Sequence, residues 1–80
     1  MPAKQPKRLP SDLPRPKVLH AINRMGFHFI REGADHTVFG DVRNPELTMS
    51  IPRHARINRN LLRGILRRAG VTEEEFMERY

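Results

Sequence analysis

The chain has 80 residues, which points to a single domain with a small buried core. It contains no cysteine, so a disulfide framework and a thiolate zinc site are excluded, and a reducing, cytoplasmic setting is expected. No apolar run approaches the ~20 residues of a membrane span, and the N-terminus lacks the apolar segment of a signal peptide. Formal net charge is +6, and 12 of the 15 basic residues are arginine. The planar arginine fork matches phosphate oxygens in pairs, so a nucleic-acid partner is expected. The charge is unevenly spread: residues 53–68 carry six arginines and no acid, whereas the last nine residues carry four glutamates against one arginine.

Residues 1–14 contain four prolines and few apolar groups. Proline lacks an N–H and restricts its predecessor, so no helix or strand is expected here. The segment reads as a disordered basic arm, with the domain proper spanning 15–80. The first helix starts near Pro16, a residue suited to a first helical turn. Val18, Leu19, Ile22 and Met25 recur at helical spacing, and Gly26 follows as a left-handed stop.

Phe27 to Glu32 is rich in aromatic and β-branched residues and predicts a strand. Strict alternation places Phe27, Phe29 and Arg31 on one face, and His28, Ile30 and Glu32 on the other. Glu32-Gly33-Ala34-Asp35 is the turn, with Gly33 available for positive φ. His36 to Phe39 forms a second strand, followed by a loop through Asn44-Pro45. Leu47, Met49 and Ile51 then mark the buried face of a third strand, which Pro52 ends.

The second helix is expected over Asn60–Ala69, capped by Asn60, with Leu61, Leu62, Ile65, Leu66 and Ala69 on its inner face. Arg59, Arg63 and Arg67 follow at steps of four on the opposite face. Gly64 either admits another backbone closely or is simply tolerated. Gly70 closes this helix, and Thr72 with Glu75 forms a capping-box pattern that starts a short last helix, Glu73 to Arg79. The order is α-β-β-β-α plus a short C-terminal helix. It predicts an α+β fold, with a three-stranded antiparallel sheet burying one face under two helices.

His36 starts a strand directly after a glycine-containing turn, a partly exposed and firmly held position that suits a general base. RNA supplies its own nucleophile, the 2′-OH, so such a base needs no metal or cofactor. Read from the residues alone, however, a histidine there is more often structural or a plain surface residue. The four histidines show no metal-ligand spacing such as HExxH. Ser11 lies in the loose arm and Ser50 lacks a neighbouring base in sequence, which argues against acyl transfer.

Taken together, three runs are recognisable: Gly33-Ala34-Asp35-His36-Thr37-Val38, then Met49-Ser50-Ile51-Pro52-Arg53-His54, then Leu61 to Phe76. In this order and spacing, with Met25-Gly26-Phe27 before them, they resemble the HicA family of toxins over about residues 16–77. The resemblance implies a double-stranded-RNA-binding-domain-like fold and an mRNA interferase, that is, a small ribosome-independent ribonuclease, which with the 2′-OH chemistry above is expected to be metal-independent and to need no cofactor. It also implies a HicB-type antitoxin as protein partner, covering the active site. The family's catalytic histidine falls on His36, and its Val/Ile-Pro-x-His motif on Ile51, Pro52, Arg53 and His54. The Ser-His that precedes the active histidine in many members is Ala34-Asp35 here. With the resemblance, His36 is expected as the base that activates the 2′-OH, leaving a 2′,3′-cyclic phosphate and a 5′-OH. His54 is a candidate helper, and Arg53, Arg56 and Arg59 are candidate RNA phosphate contacts. Arg63 and Arg67 fit RNA or an acidic antitoxin surface equally. The alternatives are a non-catalytic RNA- or DNA-binding module, or an interaction domain whose arginines meet an acidic protein.

Overall fold

A computed structural model describes residues 8–80. The elements in order are β1 (Asp12–Pro14), α1 (Arg15–Arg24), β2 (Phe27–Glu32), β3 (His36–Asp41), β4 (Asn44–Pro52), β5 (Arg56–Asn58), α2 (Arg59–Arg68) and α3 (Glu73–Arg79). β2, β3 and β4 form an antiparallel sheet in that order, and β1 pairs antiparallel with β5 in a separate ladder. The predicted α+β architecture, a three-stranded antiparallel sheet with helices, is the one found. No described helix is long and apolar enough to cross a membrane.

The sheet has one covered and one open face. Thr37, Phe39, Met49 and Ile51 are buried. They pair across the ladder as Thr37 with Ile51 and Phe39 with Met49. Strand neighbours point to opposite faces, so His36, Val38, Thr48 and Ser50 look away from the helices. On the covered side α1 contributes Val18, Ala21 and Ile22, α2 contributes Leu62, Ile65 and Leu66, and α3 contributes Phe76. Gly26 and Gly70 take positive φ, 99° and 72°, as the stops of α1 and α2 require. Thr72 and Glu75 complete the expected capping box at the start of α3. Phe76 stacks on Tyr80 at 5.5 Å between ring centroids, and the Lys17 ammonium lies 4.3 Å from the Tyr80 ring centre.

Several expectations are corrected. Residues 1–7 of the predicted arm lie outside the described residues, but its later part is a structural element. Leu13 faces Ile57 in the β1–β5 ladder, and Leu9, Leu13 and Ile57 are all buried. Arg59 N donates to Ser11 O and Arg15 N to Ala55 O, at 3.0 and 2.9 Å, extending the pairing at both ends. The prolines do not forbid this, because a strand this short needs few N–H donors and proline is tolerated at a sheet edge.

The second helix starts one residue early. Asn58, not Asn60, caps it, its Oδ1 accepting from Asn60 N at 2.8 Å and Leu61 N at 3.4 Å. Leu61, expected on the inner face, is exposed. The expected loop at Asn44-Pro45 belongs to β4, leaving only Val42-Arg43 between β3 and β4. Gly33 does not use positive φ. β2 breaks alternation: Phe29 pairs with Phe39 but Arg31 pairs with Val38, so Ile30 is the extra residue of a bulge. Phe29, on the edge strand, remains 60% exposed.

Candidate active site

β3 opens on His36, and the turn before it is tightly closed. Gly33 N donates to His36 O at 2.6 Å, and a Cβ at Gly33 would stand 3.1 Å from that oxygen. Glycine is therefore used here for close approach and not for its φ. Arg53 holds the turn from outside. Its Nη2 donates to Gly33 O at 2.7 Å and to the Glu32 carboxylate, and its backbone N donates to Asp35 O at 3.1 Å.

A second set of bonds holds the turn from the covered side. Thr37 Oγ1 donates to Glu32 Oε1 at 2.8 Å and accepts from Arg15 Nη2 at 2.8 Å. Arg15 Nε donates to Pro52 O at 2.9 Å. The Thr37 hydrogen bond, with the nearby Arg53 and Arg15 charges, holds the Glu32 carboxyl below its ordinary range. Thr37 is turned inward by this network, so its neighbour His36 is turned out.

His36 is exposed and lines a shallow concavity on the open sheet face with Arg31, Asp35, Val38 and Ser50. Pairing across the sheet places Arg31 beside Val38 and Val38 beside Ser50, with His36 in the adjoining row opposite Pro52. Asp35 precedes the strand, so alternation does not take it away from His36, and it lines the same concavity. A different cleft, near the other end of β3, is lined by Asp41, Glu75 and Glu78 with Arg43 and Arg79. Three carboxylates make it a poor seat for a phosphate.

The other predicted site residues are dispersed. His54 is exposed in the β4–β5 link and is not among the residues lining the His36 concavity. Arg53 reaches the His36 turn but donates to Glu32 and Gly33. Arg56 donates to Asp12 Oδ1 through Nε and Nη2 at 2.9 and 2.7 Å; this hydrogen bond holds the Asp12 carboxyl below its ordinary range. Arg59 Nε donates to Pro10 O at 3.2 Å, and Arg63 Nε to Glu73 Oε2 at 3.0 Å. Arg67 is exposed on α2 and lines a groove with Arg63, Thr72 and Glu73. Among the described residues no group of three or more His, Asp or Glu is placed to hold a metal ion.

The residues missed at this site are Arg31, Val38 and Ser50. A trace of the bulge that turns Arg31 outward lies in Phe29-Ile30, two adjacent apolar residues where period-two alternation allows only one.

No curated protein and no solved structure matches the chain. Residues 15–71 match the family model described as HicA toxin of bacterial toxin-antitoxin, a span that includes α1, the three-stranded sheet, β5 and α2 but not β1 or α3. With more than two thirds of its length matched, and with His36 inside the match, the chain belongs to the HicA family, the toxins of bacterial toxin–antitoxin pairs.

Proposed function

We propose that the protein is a metal-independent RNA endonuclease, an mRNA interferase held in check by a HicB-type antitoxin, with His36 as its general base. The observation that carries this reading is the placement of His36. It is exposed, it opens a strand whose turn is bonded on both sides, and it lines an open concavity on the uncovered sheet face. In the reaction the imidazole takes the proton of the 2′-OH, O2′ bonds to the adjacent phosphorus, and the P–O5′ bond breaks. O5′ leaves with a proton, giving a 2′,3′-cyclic phosphate and a 5′-OH. His54 is a candidate donor of that proton. The exposed Arg67, and the parts of Arg53, Arg56, Arg59 and Arg63 left free by their partners, supply a positive field that attracts the polyanion.

The test compares wild type with His36→Ala on an RNA and the matching DNA, in the presence of a chelator. Wild type is expected to cut the RNA alone, leaving cyclic-phosphate ends, and the variant to fold but not cut. Cutting of the DNA, or fragments ending in 3′-OH, would contradict a mechanism that needs the 2′-OH. The second reading, a non-catalytic RNA- or DNA-binding module, draws on the basic surface. It predicts binding that weakens steeply with salt and no cleavage by either protein.

A further inference from the structure

We propose that Arg31, together with Ser50, forms the phosphodiester subsite of the His36 concavity, with Arg31 as the group that stabilises charge on the reacting phosphate. The proposal rests on the reading of His36 as the general base.

Placement comes first. Between the Phe29–Phe39 pair and the Arg31–Val38 pair, β2 advances two residues and β3 only one. The bulge therefore puts Arg31 on the face of Val38. Val38 and His36 are two residues apart in β3, hence on that same face. Arg31 and His36 are thus diagonal neighbours on adjacent strands, a separation that a long side chain spans. Both line the same concavity.

The charge inventory comes second. Among the described residues the ion pairs are Arg53–Glu32, Arg56–Asp12 and Arg63–Glu73, and Arg31 takes part in none. The other two arginines near the His36 turn are committed: Arg53 to Glu32 and Gly33 O, Arg15 to Thr37 and Pro52 O. Arg31 is the guanidinium in this concavity that is left to meet an incoming anion.

Chemical fit comes third. The row Arg31–Val38–Ser50 presents a guanidinium fork, an apolar floor and a hydroxyl. A phosphodiester has two non-bridging oxygens, which a planar fork binds as a pair. The Ser50 hydroxyl is placed to donate to one of them, and Val38 offers a surface for the ribose. Asp35 lines the same concavity, and its carboxylate opposes an incoming phosphate, a repulsion that the Arg31 charge offsets. As O2′ bonds to phosphorus and P–O5′ begins to break, negative charge on the non-bridging oxygens rises, and a fixed cation there lowers the barrier.

Two measurements on the full chain test this. The first is steady-state cleavage of an RNA oligonucleotide by wild type, Arg31→Ala, Arg31→Lys and His36→Ala, each checked for folding by circular dichroism. Arg31→Ala is expected to lose about 100-fold or more in kcat, with a much smaller change in KM. Arg31→Lys should recover only part of that, because an ammonium lacks the paired donors. The second is the salt dependence of binding to an uncleavable 2′-O-methyl RNA. Arg31→Ala should reduce the slope of log affinity against log salt by about 0.7, one phosphate contact on a single strand. A kcat for Arg31→Ala within twofold of wild type, alongside an inactive His36→Ala, overturns the proposal and leaves the His36 reading intact. Full activity in His36→Ala overturns the His36 reading; the salt slope then decides the subsite, and an unchanged slope overturns it.

Discussion

Leu13 faces Ile57 across a two-strand ladder, and neither side chain has any exposed surface. β1 is therefore bound into the core, through a contact that spans more than half the chain. A Leu13→Ala substitution should cost about 2–5 kcal/mol, the range for a large-to-small change at a buried site. In a domain whose total stability is only about 5–15 kcal/mol the loss is severe. Urea denaturation reads it as a lower midpoint at unchanged slope. A midpoint equal to wild type would show that the ladder is dispensable.

Glu32 predicts an acid-sensitive step. Its folded carboxyl lies below its ordinary 4.5 because Thr37 hydrogen-bonds it and Arg53 and Arg15 stand nearby. The folded state binds this proton more weakly than the unfolded state does. Its stabilising contribution is therefore complete above pH 4.5 and is lost as pH falls through the lower folded value. Glu32→Gln should lower stability at neutral pH and narrow the gap to wild type on acidification. Urea midpoints from pH 7 to pH 3 that fall in parallel for the two proteins would rule out the linkage.

Asp35 lines the concavity together with His36. A carboxylate there opposes a phosphate across solvent, so Asp35→Asn should tighten binding to uncleavable 2′-O-methyl RNA by about two- to fivefold at low salt. The gain should shrink as ionic strength rises and screening sets in. Unchanged or weaker binding by the variant would place the RNA elsewhere.

Gly64 sits in α2, and a Cβ built there meets nothing within 4 Å. Gly64→Ala should therefore gain about 1 kcal/mol of helix propensity without strain. For a domain of this size, that amounts to a melting temperature higher by about 4–8 °C. A stabilised variant with weakened antitoxin or RNA binding would show that another backbone approaches α2 at this point. A variant no more stable than wild type would contradict the open space around it.

Local pattern reached as far as local physics does. Helical spacing in α1 and α2, the Thr72–Glu75 cap and the Gly26 and Gly70 stops each depend on residues within one or two turns, so they were legible. The position of His36 at a strand mouth was legible for the same reason, and the family's signature runs marked it as the residue to watch. The face of Arg31 was not. A bulge is settled by which partner residues a strand meets, and Val38 and Phe39 compete for that pairing only once β3 lies alongside.

The fate of the arginines was equally hidden. Arg53, Arg56 and Arg63 look like an uninterrupted basic run. The carboxylates that meet them, on Glu32, Asp12 and Glu73, come from three other segments. By itself the sequence determined the three helices, the three strands of the larger sheet, their order and the histidine that opens β3, but not the β1–β5 ladder. Only the tertiary structure decided that Leu13 joins the core and that Arg31 shares the face of His36. The reason is that burial, strand register and ion pairing join residues that are distant along the chain, whereas helix periods, caps and glycine stops act between neighbours.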